Sequence, residues 1–377
     1  MDKFYIKHAL ELAIKGTGTL SNPRVGCVIV RNGSIIGSGW HETRGFAHAE
    51  VVAFQNMKLN GNSAHGATLY VTLEPCSHSG LTPPCANRII EEGISRVVIG
   101  MVDPNPKVSG RGIEVLKDAG IEVVMIRECG SDGKLIEAEC KWINRGFIRH
   151  VTLGRPWITI KAAVSLDGMM ALADGTSKWI TGIEARTAAH ELRAEHDGIL
   201  VGIGTILMDD PELTVRLVKG RSPVRVILDT HLNTPENAKA IGDGTVIMCS
   251  KNAGDSKSSK RTALEKMGAK VTTVNSEDNG HISLKEALKL LASDIGIQRL
   301  LVEGGAAIHS SFIEGGFADS AALFIAPRFL GQGISITNNL RVNKMKETEN
   351  YSLRIINIRH VGDDLLLEGI FKNVPEL

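Results

Sequence analysis

The sequence has almost no net charge, because its 43 lysines and arginines are matched by 42 aspartates and glutamates, which leaves +1. The balance does not change along the chain, since residues 1–150 carry 17 basic and 15 acidic groups. Proteins that bind nucleic acids through the phosphates normally carry a basic excess. The charge balance therefore argues against a nucleic-acid-binding protein.

The sequence also has few cysteines and no long hydrophobic run. Six cysteines in 377 residues are too few for a scaffold held by disulfides. No apolar run approaches the roughly 18 residues that span a bilayer, and residues 1–8 lack the apolar core of a signal peptide. We therefore expect a cytoplasmic protein, in which grouped cysteines bind metal more often than they form disulfides.

Length and composition predict a folded chain with more than one domain. At roughly 100–200 residues per domain, 377 residues make two or three domains. The hydrophobic content of 43% and the charged content of 23% are ordinary for globular proteins with hydrophobic cores. Disorder requires lower hydrophobicity and higher net charge, so it is excluded for most of the chain.

The first part of the chain shows the pattern of a layered α/β domain. A helix that ends at Gly16 is followed by two short strands joined by Asn32-Gly33, a dipeptide typical of β-hairpins. After the hairpin, strands alternate with helices, and a sheet with this order carries helices on both faces. The alternation breaks near residue 147, so we predict domains at 1–147 and 148–377.

The second part restarts the alternation with a strand at residues 158–164. The stretch 251–260, rich in serine, lysine, aspartate and glycine, is predicted to be a mobile loop. Helices are predicted at residues 184–195, 260–268, 284–293 and 306–314. Further strands are predicted at residues 199–201, 224–228, 246–249, 300–302 and 321–325.

Residues in the first domain have the types and spacing of a catalytic zinc site. His48 lies two positions before Glu50, and Cys76 and Cys85 follow in proline-containing turns. One imidazole and two thiolates leave the fourth position of a tetrahedral zinc ion open to water, as in catalytic sites. Zinc lowers the pKa of that water toward roughly 7, which supplies hydroxide at neutral pH.

Glu50 is the predicted proton carrier of this site. A carboxylate beside the zinc-bound water can take its proton and deliver it to the leaving nitrogen. Residues two apart on a helix point to opposite sides, so His48 and Glu50 share a site only where a helix begins. We therefore predict that a helix opens at His48, and that Cys76 and Cys85 also lie at strand-to-helix turns.

Each of these residues has a simpler explanation when it is taken alone, His48 as a satisfied core histidine and the two cysteines as inert buried thiols. Their combination in one α/β unit favours zinc catalysis, and a structural zinc would usually have a fourth protein ligand, which we do not find. His78, between the two cysteines, is expected to line the pocket. The remaining cysteines are interpreted as small buried hydrophobic residues: Cys27, Cys129, Cys140 and Cys249.

The second domain contains two glycine-rich turns of the kind that approach phosphates. Residues 202–205 and 303–306 each follow a strand, and backbone N–H groups at a helix start favour an anion. Neither turn is a full G-x-G-x-x-G, so a Rossmann fold is not predicted, and an ordinary tight turn is the alternative. Arg193 and Arg216 are candidate clamps for a sugar phosphate, with a solvated arginine as the alternative. Lys161, taken alone, is interpreted as a surface charge.

The metal motifs resemble those of the cytidine-deaminase-like zinc hydrolases, in which His-x-Glu is followed by Pro-Cys and a second cysteine. Most members have two residues between the cysteines, whereas this chain has eight, and residues 74–85 look like the riboflavin-pathway branch. Residues 22–28 and 103–112 are also similar to that branch. Ala47 is a departure, because the branch often has proline before the histidine. The resemblance implies a three-layer α/β/α domain.

The second domain resembles the riboflavin reductase domain at residues 161–168, 177–181, 192–194 and 209–216. That resemblance implies a dihydrofolate-reductase-like α/β fold and NADPH as the cofactor. It implies cofactor contacts at Ala163, Trp179, Thr205, Asp209, Thr230 and Gly305. It implies substrate contacts at Ser177, Arg193, Leu213, Arg216 and Glu303.

Together the two resemblances imply a bifunctional enzyme of riboflavin biosynthesis. Its zinc hydroxide would deaminate 2,5-diamino-6-(5-phosphoribosylamino)pyrimidin-4-one to 5-amino-6-(5-phosphoribosylamino)uracil, and NADPH would then reduce the ribosyl group to ribityl. The expected partners are this small-molecule substrate and further copies of the chain, with no nucleic acid and no membrane. The alternatives are a nucleic-acid base deaminase, a structural zinc module in a binding protein, and a chain whose second domain has lost its activity.

Overall fold

A computed structural model describes residues 1–16, 22–43, 45–77, 83–106 and 108–374. The chain divides into two compact units, the first covering Met1–Arg155 and the second starting at Pro156. The predicted boundary at residue 147 lies inside a helix of the first unit, Arg145–Leu153, which ends at Gly154 with its left-handed backbone. The division between the units comes one residue later, between Arg155 and Pro156. Within the described residues, no helix is long and apolar enough to cross a membrane.

The first unit is built on one five-stranded sheet. The turn of the predicted hairpin is confirmed, because Asn32 and Gly33 both have positive φ. The strands of the sheet are β1 Gly26–Arg31, β2 Ser34–Trp40, β3 Thr68–Val71, β4 Arg96–Ile99 and β5 Glu122–Met125. Their order across the sheet is β2-β1-β3-β4-β5, and β3, β4 and β5 run parallel. Its α-helices are α1 Asp2–Ile14, α2 Ala49–Leu59, α3 Cys85–Glu91, α4 Arg111–Asp118, α5 Ser131–Ile143 and α6 Arg145–Leu153.

Helices cover both faces of this sheet. Because successive side chains of a strand point to opposite faces, Cys27 and Ile29 pack with α2, α3 and α4, whereas Val28 and Val30 pack with α1 and α5. The predicted three-layer α/β/α arrangement is therefore confirmed. The parallel strands β3 and β4 end at the same edge of the sheet, and the chain leaves that edge toward α3 and α4.

The second unit is built on a nine-stranded sheet and a separate two-stranded one. Its strands are β6 Trp157–Ser165, β7 Met169–Leu172, β8 Gly198–Gly202, β9 Val224–Leu228, β10 Thr245–Ser250, β11 Ala269–Val274, β12 Arg299–Val302, β13 Ser320–Ala326, β14 Gly333–Ser335, β15 Leu353–Val361 and β16 Asp364–Phe371. Its α-helices are α7 Ile183–Glu195, α8 Ile203–Asp209, α9 Lys251–Ser256, α10 Ser258–Lys266, α11 Leu284–Ser293 and α12 Ala306–Glu314.

The large sheet has the order β11-β10-β9-β8-β12-β6-β13-β16-β15. The first seven strands in this order, from β11 at the edge to β13, run parallel to one another. The last two, β16 and β15, are antiparallel to their neighbours. At the carboxyl ends of the parallel strands, β8 leads into α8 and β12 into α12. Ligands of open α/β sheets bind at that edge.

The prediction of a mobile loop at residues 251–260 is wrong, because α9 and α10 occupy this stretch. Its polar composition belongs to two short surface helices rather than to a flexible segment. Ser250 explains where the first of them begins, since its hydroxyl accepts a hydrogen bond from the backbone N–H of Ala253 at 3.2 Å. An N-cap of this kind satisfies one of the N–H groups that the first helical turn leaves without a partner.

The Ser250 cap predicts a measurable loss of stability. We expect Ser250→Ala to lower the free energy of unfolding by about 1 kcal/mol, because the Ala253 N–H loses its acceptor. Urea denaturation measures this change. The matched control is Ser258→Ala at the first residue of α10, where no side-chain cap hydrogen bond is present, and an equal loss in both variants would contradict the role given to the cap.

Candidate active sites

The three predicted metal ligands come from elements around one edge of the first sheet. His48 has an extended backbone and immediately precedes α2, whose first turn includes the hydrogen bond from Val52 N–H to the His48 carbonyl. The prediction that a helix opens at His48 is therefore confirmed. Cys76 lies in the loop that follows β3, and Cys85 is the first residue of α3. His78 lies outside the described residues.

The ligand atoms of His48, Cys76 and Cys85 all lie within 4.8 Å of one another. His48 Nδ1 is 3.3 Å from Cys85 Sγ and 3.6 Å from Cys76 Sγ. A tetrahedral zinc ion, with Zn–N near 2.0–2.1 Å and Zn–S near 2.3 Å, holds its nitrogen and sulfur ligands about 3.5 Å apart. The separations and the donor types therefore fit zinc bound through Nδ1 and two sulfurs.

The two thiols of this cluster have pKa values that are shifted in opposite directions. A hydrogen bond from the Cys85 thiol, followed by one from His48, lowers the pKa of Cys76 to about 4. The same contact and burial raise the pKa of Cys85 above its ordinary value. The backbone N–H of Cys85 also donates to Cys76 Sγ at 3.3 Å. Because a thiol that coordinates zinc is deprotonated, a zinc ion held here would take the place of the proton between the two sulfurs.

Glu50 lies beside this cluster and is the second residue of α2. Its side chain is buried, with 4% exposed, and its carboxyl is in hydrogen-bonding contact with the Cys85 thiol. Burial, followed by the negative charge of Cys76, raises the pKa of Glu50. The helix start thus brings Glu50 to the same side as His48, although their spacing would separate them inside a helix.

His41 is a neighbour of the site that no sequence pattern singled out. Its ring lies edge-on to that of His48, with 5.7 Å between the centroids. His41 Nδ1 lies 3.1 Å from the Ala47 carbonyl, so this nitrogen carries the proton, and Nε2 accepts from the Asn22 amide at 3.1 Å. Burial lowers the pKa of His41, in agreement with a neutral ring. These contacts hold the turn before His48 in place.

The second unit contains a cavity of about 1260 Å³ at the carboxyl edge of its parallel strands. The cavity brings together every residue that the resemblance assigned to the second domain. The residues predicted for the cofactor line it: Ala163, Trp179, Thr205, Asp209, Thr230 and Gly305. So do the residues predicted for the substrate: Ser177, Arg193, Leu213, Arg216 and Glu303.

A buried ion-pair network lies in this cavity. Arg193 forms a two-pronged pair with Glu303, from Nε to Oε1 at 2.8 Å and from Nη2 to Oε2 at 2.9 Å. Lys161 Nζ is 3.4 Å from Glu303 Oε2 and its side chain is only 16% exposed, so the interpretation of Lys161 as a surface charge is wrong. Burial raises the pKa of Glu303, but the charges of Arg193 and Lys161 outweigh it and hold that pKa below its ordinary value.

The two candidate phosphate clamps differ in their surroundings. Arg193 is mostly buried, and its remaining Nη1 group donates to the Thr214 carbonyl at 3.2 Å, so the network already engages its guanidinium. Arg216 is half exposed and pairs with Glu212 at 2.9 Å. His190 lies between them and accepts a hydrogen bond from the Arg216 backbone, and burial, then the charges of Arg193 and Arg216, lower the pKa of His190 to about 4. A neutral histidine thus lies next to the two arginines, in a smaller pocket that Arg193 and Arg216 also line.

Two family models match the chain, one in each unit. The family described as "Cytidine and deoxycytidylate deaminase zinc-binding region" matches residues 1–101. The family described as "RibD C-terminal domain" matches residues 156–367, more than half of the chain. The first match includes all three ligands of the metal cluster, and the second includes the whole of the ion-pair network.

Characterised proteins match over nearly the whole length of the chain. It is 42% identical to the riboflavin biosynthesis protein RibD of Aquifex aeolicus over 371 residues, which cover 97% of this chain and 98% of that protein. The Escherichia coli RibD is 36% identical over 383 residues, which cover 97% of this chain and 98% of that protein.

The structure of Acinetobacter baumannii RibD superposes with a TM-score of 0.84 at 34% identity and covers 98% of both chains. A Thermotoga maritima structure, described as a diaminohydroxyphosphoribosylaminopyrimidine deaminase/5-amino-6-(5-phosphoribosylamino)uracil reductase, has a TM-score of 0.82 at 35% identity and 98% coverage of both chains. The chain therefore belongs to the RibD family of bifunctional riboflavin biosynthesis enzymes, with a zinc-dependent deaminase domain of the cytidine-deaminase type and an NADPH-dependent reductase domain of the dihydrofolate-reductase type.

Proposed function

We propose that the two activities of the chain are carried by the two sites described above. The first unit deaminates 2,5-diamino-6-(5-phosphoribosylamino)pyrimidin-4-one, and the second reduces the ribosyl group of the resulting 5-amino-6-(5-phosphoribosylamino)uracil to ribityl. The observation that carries the proposal is the cluster of His48, Cys76 and Cys85, whose separations match the edges of a zinc tetrahedron.

In the first site, His48, Cys76 and Cys85 hold the zinc ion, and Glu50 moves the proton. Zinc held by these three residues would supply Lewis acidity toward water. Glu50 is buried beside the cluster and makes no ion pair in the described residues, so its carboxyl is available to take a proton from water and give it to the departing nitrogen. Ammonia leaves, and oxygen from water replaces it on the pyrimidine ring.

In the second site, the cavity would hold NADPH together with the substrate. The open backbone at Gly305, where a Cβ atom would meet no neighbour within 4 Å, precedes α12 and suits a pyrophosphate. Arg193, Arg216 and Lys161 supply positive charge for a sugar phosphate. Bound NADPH would supply the hydride for C1 of the opened sugar, with a proton taken up from solvent, so the task of these residues is to position the substrate and exclude water.

Further expectations about partners and location belong to this proposal. The even charge balance supports a free small-molecule substrate rather than a nucleic acid or a membrane surface. None of the six cysteines forms a disulfide, which supports a reducing cytoplasm. A homo-oligomer is supported by β15, an edge strand with exposed Ile355, Ile356 and Ile358, because an exposed apolar edge favours pairing with another chain.

The zinc assignment predicts that Cys85→Ser separates the two activities. The variant is expected to lose most of its zinc and its ammonia release, because a serine oxygen replaces one thiolate of the cluster. NADPH oxidation with the deaminated pyrimidine is expected to stay at the wild-type rate. Zinc content by atomic absorption and the two separate activity assays measure these outcomes.

The matched control is Cys129→Ser, since Cys129 lies in the same unit and outside the metal cluster. It is expected to keep both zinc and deaminase activity. If Cys85→Ser retained full zinc and full ammonia release, the metal site assigned here would be refuted. A wild-type protein that failed to oxidise NADPH with the deaminated pyrimidine would refute the function proposed for the second unit.

A further inference from the structure

A single buried carboxylate, that of Glu74, accepts hydrogen bonds from four backbone N–H groups of one later segment. Glu74 Oε2 accepts from Asp103 and Gly110, each at 3.0 Å. Oε1 accepts from Gly112 at 2.9 Å and from Ile113 at 3.4 Å. The residue is only 3% exposed, so these contacts take place away from water.

These contacts join the loop that carries a metal ligand to the loop that follows the next strand. Glu74 lies after β3 and two residues before Cys76, whereas its partners belong to a segment, residues 103–106 and 108–113, that lies after β4, the parallel neighbour of β3. The segment comes so close that a Cβ atom added at Gly112 would lie 2.0 Å from the Pro75 carbonyl oxygen. The carboxylate thus fixes the later loop directly against the turn that holds Cys76.

The chemistry of the contact requires a carboxylate. Both oxygens accept two hydrogen bonds each, and a carboxylate offers about four acceptor sites and no donor. Two of the donors, Gly112 and Ile113, belong to the first turn of α4, whose N–H groups have no partner within the helix and whose dipole favours a negative charge. A glutamine would place its NH₂ group against two N–H donors and lose half of the contacts.

We propose that Glu74 is a positioning residue for the deaminase reaction, which holds residues 103–106 and 108–113 as a wall of the pyrimidine site beside Cys76. The inference rests on the proposed zinc site. Loops at the carboxyl edge of parallel strands are where α/β proteins bind their ligands, and this segment is held at that edge next to a metal ligand. Glu74 acts on the substrate through the loop and does not take part in the chemical step.

The test is Glu74→Gln in the full-length, zinc-loaded enzyme. We expect the KM for the diaminopyrimidine substrate to rise about tenfold or more, because charge-assisted hydrogen bonds of the buried carboxylate are lost. The deaminase kcat is expected to change by less than about threefold, with zinc content and reductase activity unchanged. Hydrogen exchange is expected to become faster at the amides of Asp103, Gly110 and Gly112, with β3 and β4 still protected.

The matched control is Glu92→Gln, because Glu92 is a mostly buried glutamate of the same unit that pairs with Lys58 and Arg88 at the far end of α3. It is expected to leave the deaminase KM unchanged. An unchanged KM in Glu74→Gln would overturn the proposal, and so would a loss of zinc parallel to the loss of activity, since Glu74 would then serve the metal turn alone.

A second variant, Glu74→Asp, keeps the charge and both acceptors on a shorter side chain. If Glu74→Gln does not fold, the same KM, zinc and exchange criteria are applied to this variant, with a KM between the wild-type and Glu74→Gln values expected where both can be measured. Failure of the zinc site itself is recognised separately, because the wild-type enzyme would then lack bound zinc and ammonia release.

Discussion

Glu50→Gln is expected to slow ammonia release by about 10²–10⁴-fold while the protein keeps its zinc. The glutamine has nearly the same shape as the glutamate and can occupy the same buried position beside Cys85. It cannot take a proton from water or pass one to the leaving nitrogen, so the transfer step loses its carrier. Since Glu50 is not one of the three ligand residues, the metal is expected to stay.

Three measurements on the same preparation check this prediction: ammonia release, zinc content and NADPH oxidation with the deaminated pyrimidine. The last serves as an internal control, because the ion-pair network of the reductase lies in the other unit. Ammonia release at the wild-type rate would refute the role of Glu50 as proton carrier. A loss of zinc in the variant would instead show that Glu50 supports the metal.

Arg193→Ala is expected to lower the reductase kcat/KM by about a hundredfold or more. The substitution removes the two-pronged partner of Glu303 and leaves a buried carboxylate with only Lys161 at 3.4 Å. Removing one partner of a buried ion pair lowers the stability of the folded protein by roughly 3–5 kcal/mol, because the other charge is left buried without compensation. The pKa of Glu303 then rises toward its ordinary range, and the charge pattern of the cavity changes.

NADPH oxidation at saturating cofactor measures this loss, and ammonia release is expected to stay unchanged. The matched control is Arg359→Ala, an exposed arginine on β15 that pairs with Glu191 of α7 at 4.0 Å, and it is expected to have little effect. Arg193→Lys keeps the positive charge but lacks the planar two-pronged geometry of the guanidinium. We therefore expect its reductase activity to lie between those of Arg193→Ala and the wild type. Full reductase activity in Arg193→Ala would contradict the importance of the Arg193–Glu303 pair.

The chemistry of the first site could be predicted from residue types and spacing. Few side chains bind zinc, and His48, Cys76 and Cys85 offer only three ligands, so a catalytic metal followed from the sequence. The spacing of His48 and Glu50 also predicted the helix start, which the structure confirms. The role of Glu74 could not be predicted, because its partners are backbone N–H groups more than 25 residues away, and no side-chain pattern encodes them.

The second site could be predicted only by resemblance. Its residues come from distant parts of the chain, and the cavity unites them because parallel strands end at one edge of the sheet. Taken alone, Lys161 is interpreted as a surface charge, because its burial depends on Glu303, which is distant in sequence. The sequence patterns do not predict the strands β7, β11, β14, β15 and β16. The residues of α9 are interpreted as a loop because serine and lysine are common in both loops and surface helices.

The order of the two reactions is tested most directly by giving the enzyme the diaminopyrimidine substrate together with NADPH. We predict that ammonia and oxidised NADPH appear in equal amounts, and that removal of zinc by a chelator stops both. Supplying the deaminated pyrimidine to the zinc-free enzyme is then expected to restore NADPH oxidation alone. NADPH oxidation by the zinc-free enzyme with the original diaminopyrimidine, or none by the intact enzyme, would contradict the account of two consecutive sites.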